Sequence, residues 1–260
     1  MFLRLRQLCL VAGKLEPVVE DLRSVFGIEV CHRDPGVGQF GLENALLPIG
    51  HSFIEVVAPV EEGTAAGRYL QRRNGDGGYM VIHDTDEIHQ WEARMNTLGI
   101  RIAATLEVDE YRGLQLHPGD TGGALLEINQ TGKGGSLEGA YHPAGPDWQS
   151  HVRTDVVTAV VGAELQSDAP EALAKRWGDI LERPVVAGKS GFSIELDNAR
   201  LRFVQARDGR GEGLGGIDLL VPDAEVVRER CRRNDLPLVD GGVLVGGVRF
   251  YLGTGDWRGV

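Results

Sequence analysis

The feature that most constrains this chain is a repeat: a strand, an amphipathic helix and a run of short strands recur four times along 260 residues. Residues 3–12 read as a strand. Leu15, Val18, Val19, Leu22, Val25 and Phe26 then take the spacing of one helix face, with Pro17 in the first turn and Gly27 as the stop. Strands are expected near 29–33, 40–47 and 52–57, parted by Asp34-Pro35-Gly36 and Pro48-Ile49-Gly50. The order recurs as strand 79–84, helix 86–98 (Ile88, Trp91, Met95, Leu98, then Gly99) and strands 100–105, 113–116 and 123–128. Residues 133–150, rich in Gly and Pro, read as a linker. Beyond it come strand 156–165, helix 169–181 (Leu173, Trp177, Ile180) and a hairpin of 192–196 with 201–205. Strand 216–221, helix 224–234 and a closing hairpin of 243–245 with 248–252 complete the pattern. The expectation is an α+β chain of four βαβββ modules in two domains, 1–132 and 151–260.

Charge narrows the partners. The balance of 27 basic to 38 acidic residues leaves a net charge of −11, which disfavours nucleic acid and anionic membrane surfaces. The one dense basic run, Arg228 to Arg233, has helical spacing and reads as a solvated helix face. Cys9, Cys31 and Cys231 are few, odd in number and without metal-site spacing, as in a reduced intracellular protein. The opening residues alternate and are broken by Arg4 and Arg6, so they read as a strand rather than a signal peptide. No apolar run is long enough to span a bilayer, and a cytoplasmic location is expected.

Two carboxylates stand out. Strand side chains alternate between faces, so Glu127 shares one face with Leu125, while Ala124, Leu126 and Ile128 share the other. Glu55 lies in the same way between Phe53 and Val57 in an apolar strand. Burying a carboxylate is costly unless it is paired, so each has either a strand arginine such as Arg4 or Arg6 beside it or a place in a shared polar site. Gln7 lies between Leu5 and Cys9 on one face. Among the aromatic and histidine residues of the linker, Tyr141, His142 and Trp148 are candidates for a lid over a cleft or for packing between domains.

On four elements the chain resembles the vicinal oxygen chelate superfamily, which includes glyoxalase I, bleomycin-resistance proteins and extradiol dioxygenases. They are the opening Leu5-Arg6-Gln7-Leu8-Cys9-Leu10 with Val25-Phe26-Gly27, the strand Ile54-Glu55-Val56-Val57-Ala58-Pro59, Asn74-Gly75 with Asp86-Glu87-Ile88, and His117-Pro118 followed by Gly122-Gly123-Ala124-Leu125-Leu126-Glu127. Over residues 3–130 the resemblance is closest to the methylmalonyl-CoA epimerases. It implies two incurved mixed-sheet domains and a divalent metal ion with one ligand from each of four strands. The ligand positions fall on Gln7, Glu55, Met80 and Glu127, so the implied metal ligands are Gln7, Glu55 and Glu127. Met80 stands where the family normally has His, and a thioether is a poor donor to hard or borderline cations, so it reads as pocket wall. His83 lies on the opposite strand face and does not substitute. The family's further catalytic Glu aligns near Gln39, which takes no proton at neutral pH. Val161, Phe203 and Gly216 fill the corresponding positions of 151–260, which reads as a degenerate second domain. The resemblance does not extend to an extradiol iron site.

The function so implied is a metal-dependent isomerase or lyase acting on a small molecule, with Glu127 moving a proton next to a carbonyl. An alternative is a metal-free protein that binds or sequesters a small ligand, as bleomycin-resistance proteins do; another is a purely structural pair of domains. A homodimer is compatible with either functional reading.

Overall fold

A computed structural model describes residues 1–132 and 135–255. Elements follow in chain order as β1 (Leu3–Val11), α1 (Leu15–Phe26), β2 (Leu42–Ile49), β3 (Ser52–Pro59), α2 (Ala65–Arg73), β4 (Gly77–Thr85) and α3 (Ile88–Leu98). Then come β5 (Ile102–Val108), β6 (Tyr111–Leu116), α4 (Pro118–Thr121) and β7 (Leu125–Thr131). The later part holds β8 (Ala159–Ser167), α5 (Pro170–Leu181), β9 (Val185–Gly188), β10 (Gly191–Glu195), β11 (Arg200–Gln205), β12 (Gly213–Leu220), α6 (Ala224–Arg233), β13 (Leu238–Val239), β14 (Gly242–Val245) and β15 (Val248–Gly253). Two mixed sheets result, one ordered β2-β3-β1-β4-β7-β6-β5 and the other β13-β14-β15-β12-β8-β11-β10-β9. The α+β class expected from the repeat and the two mixed sheets implied by the resemblance are therefore present.

The first module departs from the expected pattern. Residues 29–33 form no strand: only an isolated bridge joins His32 to Leu46, with Cys31 donating its N–H to the Leu46 carbonyl. Asp34-Pro35-Gly36 starts a 3-10 turn over Pro35–Phe40, capped by the Asp34 side chain on the Gly36 N–H, and this delays β2 to Leu42. An unanticipated helix, α2, fills the stretch before β4; Thr64 caps it by accepting from the Gly67 N–H. Beyond Ala65, Ala66, Tyr69 and Leu70 its sequence is Gly, Gln and Arg, with no long apolar stripe, so periodicity alone gives no signal.

The residues group into two compact units. One comprises residues 1–7, 79–142 and 162–214; the other comprises 8–78, 143–161 and 215 onward. In the first unit β4 and β7 run parallel in a register of Met80 to Leu125, Ile82 to Glu127 and Asp84 to Asn129. Antiparallel β6 places Gln115 opposite Glu127 and Gly113 opposite Asn129. His83 is on the other face of β4, where its ring meets Trp177 of α5 edge-on at 6.4 Å, and Trp177 in turn meets Phe203. Arg94 of α3 donates to the Ile180 carbonyl at the end of α5. In the second unit, α1 and α6 pack together, Phe26 lies 4.8 Å from Phe250, and Trp148 lies edge-on to Phe53. The stretch after β7 is thus no bare linker, since it carries two fully buried aromatic residues, Tyr141 and Trp148.

Candidate functional site

Gln7, Met80 and Glu127 belong to the first unit, and Glu55 to the second. Glu127 is 3% exposed and points from β7 to the same sheet face as Met80 and Gln115. Its partners are not the arginines that the sequence offered. The Tyr111 hydroxyl donates to Oε1 at 2.7 Å and Asn129 Nδ2 to the same oxygen at 3.2 Å, while Gln115 Nε2 donates to Oε2 at 3.0 Å. Three neutral donors thus surround one buried carboxylate, replacing the hydration that burial removes.

The network continues through Asn129 and Tyr141. Asn129 Nδ2 also donates to the Tyr141 hydroxyl at 3.4 Å, and that hydroxyl donates to Gln7 Oε1 at 3.0 Å. Gln7 and Glu127 are therefore joined through two intervening side chains, Tyr141 and Asn129. The Arg6 guanidinium stands 5.0 Å from the centre of the Tyr141 ring. Burial pushes both phenols well above their ordinary pKa, and the Glu127 carboxylate nearby raises them further, so each stays a neutral donor. Burial likewise lowers the Arg6 pKa from its usual value.

Arg4 takes a different carboxylate, forming a two-pronged ion pair with Asp84 at 3.0 and 2.6 Å. In the second unit Glu55 is buried and its Oε1 accepts from Asn44 Nδ2 at 2.7 Å; Asn44 in turn accepts the Asp34 N–H at 2.8 Å.

This donor set does not fit a divalent cation in its present arrangement. The hydrogens of Tyr111, Asn129 and Gln115 ring the Glu127 carboxylate, Gln7 Oε1 holds a phenol, and Met80 adds a thioether where an imidazole would suit. Among the described residues no group of three or more His, Cys, Asp and Glu side chains is placed to hold a metal ion. Asp84, Tyr111, Gln115 and Asn129 are site residues that the sequence reading did not single out, whereas Tyr141 was a lid candidate and Arg4 a candidate carboxylate partner. Alternation offered a signal for Asn129, two positions after Glu127, and for Asp84, two after Ile82.

A glyoxalase-like domain model matches residues 8–181, well over half of the chain. No curated protein matches. A hypothetical protein from Staphylococcus aureus shares the fold across 98% of this chain and 100% of its own, with a TM-score of 0.68 at 10% identity. A Streptomyces coelicolor methylmalonyl-CoA epimerase in complex with 2-nitronate-propionyl-CoA is 24% identical, covering 50% of this chain and 99% of its own at a TM-score of 0.46. Methylmalonyl-CoA epimerase from Mycobacterium tuberculosis covers 48% of this chain and 86% of its own, with 22% identity and a TM-score of 0.44. By the match over residues 8–181, the chain belongs to the glyoxalase-like family of the vicinal oxygen chelate superfamily.

Proposed function

We propose that this chain is a small-molecule enzyme of the isomerase type that moves a proton beside a carbonyl, with Glu127 as the base. The observation that carries this reading is the Glu127 carboxylate itself: buried, accepting hydrogen bonds at both oxygens, and met by neutral donors only among the described residues. Oε1 is occupied by Tyr111 and Asn129. Among the described residues Oε2 accepts from Gln115 only, which leaves a lone pair for a substrate proton. In the step, the carbon–hydrogen bond next to the carbonyl breaks, its proton goes to Oε2, and its electron pair moves onto the carbonyl oxygen as an enolate. Neutral donors such as the Asn129 amide stabilise that oxygen without a change in their own charge. Return of the proton to carbon regenerates the carboxylate.

The test is deuterium uptake in heavy water, followed by NMR, on an acyl thioester with an acidic α-proton and on an α-hydroxycarbonyl compound. The chain should exchange the α-proton of one of them, and Glu127→Gln should slow that exchange about a hundredfold or more. Equal exchange in the two proteins would contradict the role of Glu127. A second reading, a protein that binds the ligand without turning it over, is favoured by Met80 and by the close packing of Tyr141 over the site. Binding without any deuterium uptake would decide for it.

A further inference from the structure

Residues 135–142 leave β7 and fold back over the Glu127 face. Their backbone is gripped by arginines of β1: Arg4 Nη1 donates to the Gly135 carbonyl at 3.1 Å and Arg6 Nη2 to the Leu137 carbonyl at 2.8 Å. The His142 N–H donates to Thr131 Oγ1 at 3.3 Å, and its ring stacks on Tyr111 at 5.2 Å. From 135 to 141, Tyr141 is the one buried side chain, at 2% exposure. A segment with a single buried anchor opens at lower free energy than the strands beneath it.

We propose that this strap is a plug, and that the Tyr141 hydroxyl fills the place of a substrate oxygen. That place is amphoteric. Asn129 Nδ2 donates into it and Gln7 Oε1 accepts from it. An oxygen that is a carbonyl before proton transfer and an enol after it meets one partner in each state, as a carboxylate or an ammonium does not. Asn129 adds a second observation. The residue is wholly buried, and its Oδ1 has no hydrogen-bond partner among the described residues, so the same amide holds an acceptor in reserve for a ligand hydroxyl. The Arg6 guanidinium beside the ring suits a flat, electron-rich body. The ligand class is therefore a planar enol or hydroxy-aromatic of about phenol size. The choice of an enolisable substrate rests on the proton-transfer reading above; the plug itself rests on the contacts of the strap alone.

Hydrogen–deuterium exchange of the full chain, read by mass spectrometry, tests it with p-cresol as the probe. In the unmodified protein the amides of 135–142 should exchange at least about tenfold faster than those of β7, and excess p-cresol should speed the strap further by displacing Tyr141. Tyr141→Ala should raise strap exchange again, leave β7 unchanged, and bind p-cresol in the vacated place. Should Tyr141→Ala not fold, Tyr141→Phe, which keeps the ring and loses both hydroxyl bonds, must still speed the strap. Strap and β7 exchanging together in one global opening would overturn the proposal, as would p-cresol leaving the strap unaffected and failing to bind the alanine variant. Glu127→Gln separates the two readings: p-cresol should still move its strap even where deuterium uptake by substrate is lost. If no substrate exchanges in any variant while the strap responds as described, the proton-transfer reading fails and the plug stands.

Discussion

A Cβ on Gly113 would stand 2.8 Å from the Tyr111 hydroxyl and 3.2 Å from Glu127 Oε1, so the hydrogen bond between those two groups exists because position 113 has no side chain. Gly113→Ala should push the phenol off the carboxylate, costing about 1–3 kcal/mol. Tyr111→Phe removes the same donor without adding bulk and leaves Oε1 with Asn129 only, for a cost of similar size. Equilibrium urea unfolding of both variants checks this. A stability equal to that of the unmodified chain in both would mean that the bond contributes nothing. Glu127 was legible in the sequence as an expensive carboxylate on an apolar strand. Its partners were not. Tyr111 and Gln115 are ordinary residues of a neighbouring strand, and they become partners through the antiparallel register of β6 on β7, which a single sequence does not fix. The Arg4–Asp84 pair depends likewise on two strands far apart in the chain.

At the scale of elements, β4 presents two chemically different faces. Met80 and Asp84 lie on the face of Glu127, while His83 is fully buried on the other and offers Nδ1 to the Glu127 carbonyl at 3.3 Å. Burial lowers the His83 pKa from 6.5 to about 4. The folded chain therefore binds fewer protons than the unfolded chain between those values, so stability falls as the pH drops through that window. The full shift corresponds to about 3 kcal/mol. Between pH 7 and pH 4.5 the unmodified chain should lose about 2–3 kcal/mol more than His83→Gln does, measured by urea unfolding at each pH. Parallel losses in both proteins would mean that His83 is solvated in the folded chain. The amphipathic helices α1, α3, α5 and α6 were all legible because each repeats its apolar side chains every three or four positions. Residues 29–33 read as a strand because Val30 and Cys31 suit one, whereas the chain makes only the His32–Leu46 bridge before the Asp34 turn.

For the whole molecule, the four modules pair in two different ways. Each sheet draws its strands from one half of the chain. Each compact unit instead combines one module from either half: the second with the third, and the first with the fourth. The sequence repeat shows four modules but carries no information about which of them share a core. A fragment of residues 1–132 would lack Trp177 against His83 and the Ile180 carbonyl that Arg94 holds, and should be poorly soluble with a broad thermal transition. A sharp, cooperative transition in that fragment, by calorimetry, would show that the sheet rather than the unit is the folding domain. The central claim is that Glu127 sits in a cage of neutral hydrogen-bond donors rather than at a cation. Its most direct test is calorimetric titration of the chelator-treated, dialysed full chain with Mn²⁺, Co²⁺, Ni²⁺ and Zn²⁺, beside Glu127→Ala. The cage predicts no binding heat that depends on Glu127; one equivalent of metal bound by the unmodified chain and lost in Glu127→Ala would contradict it.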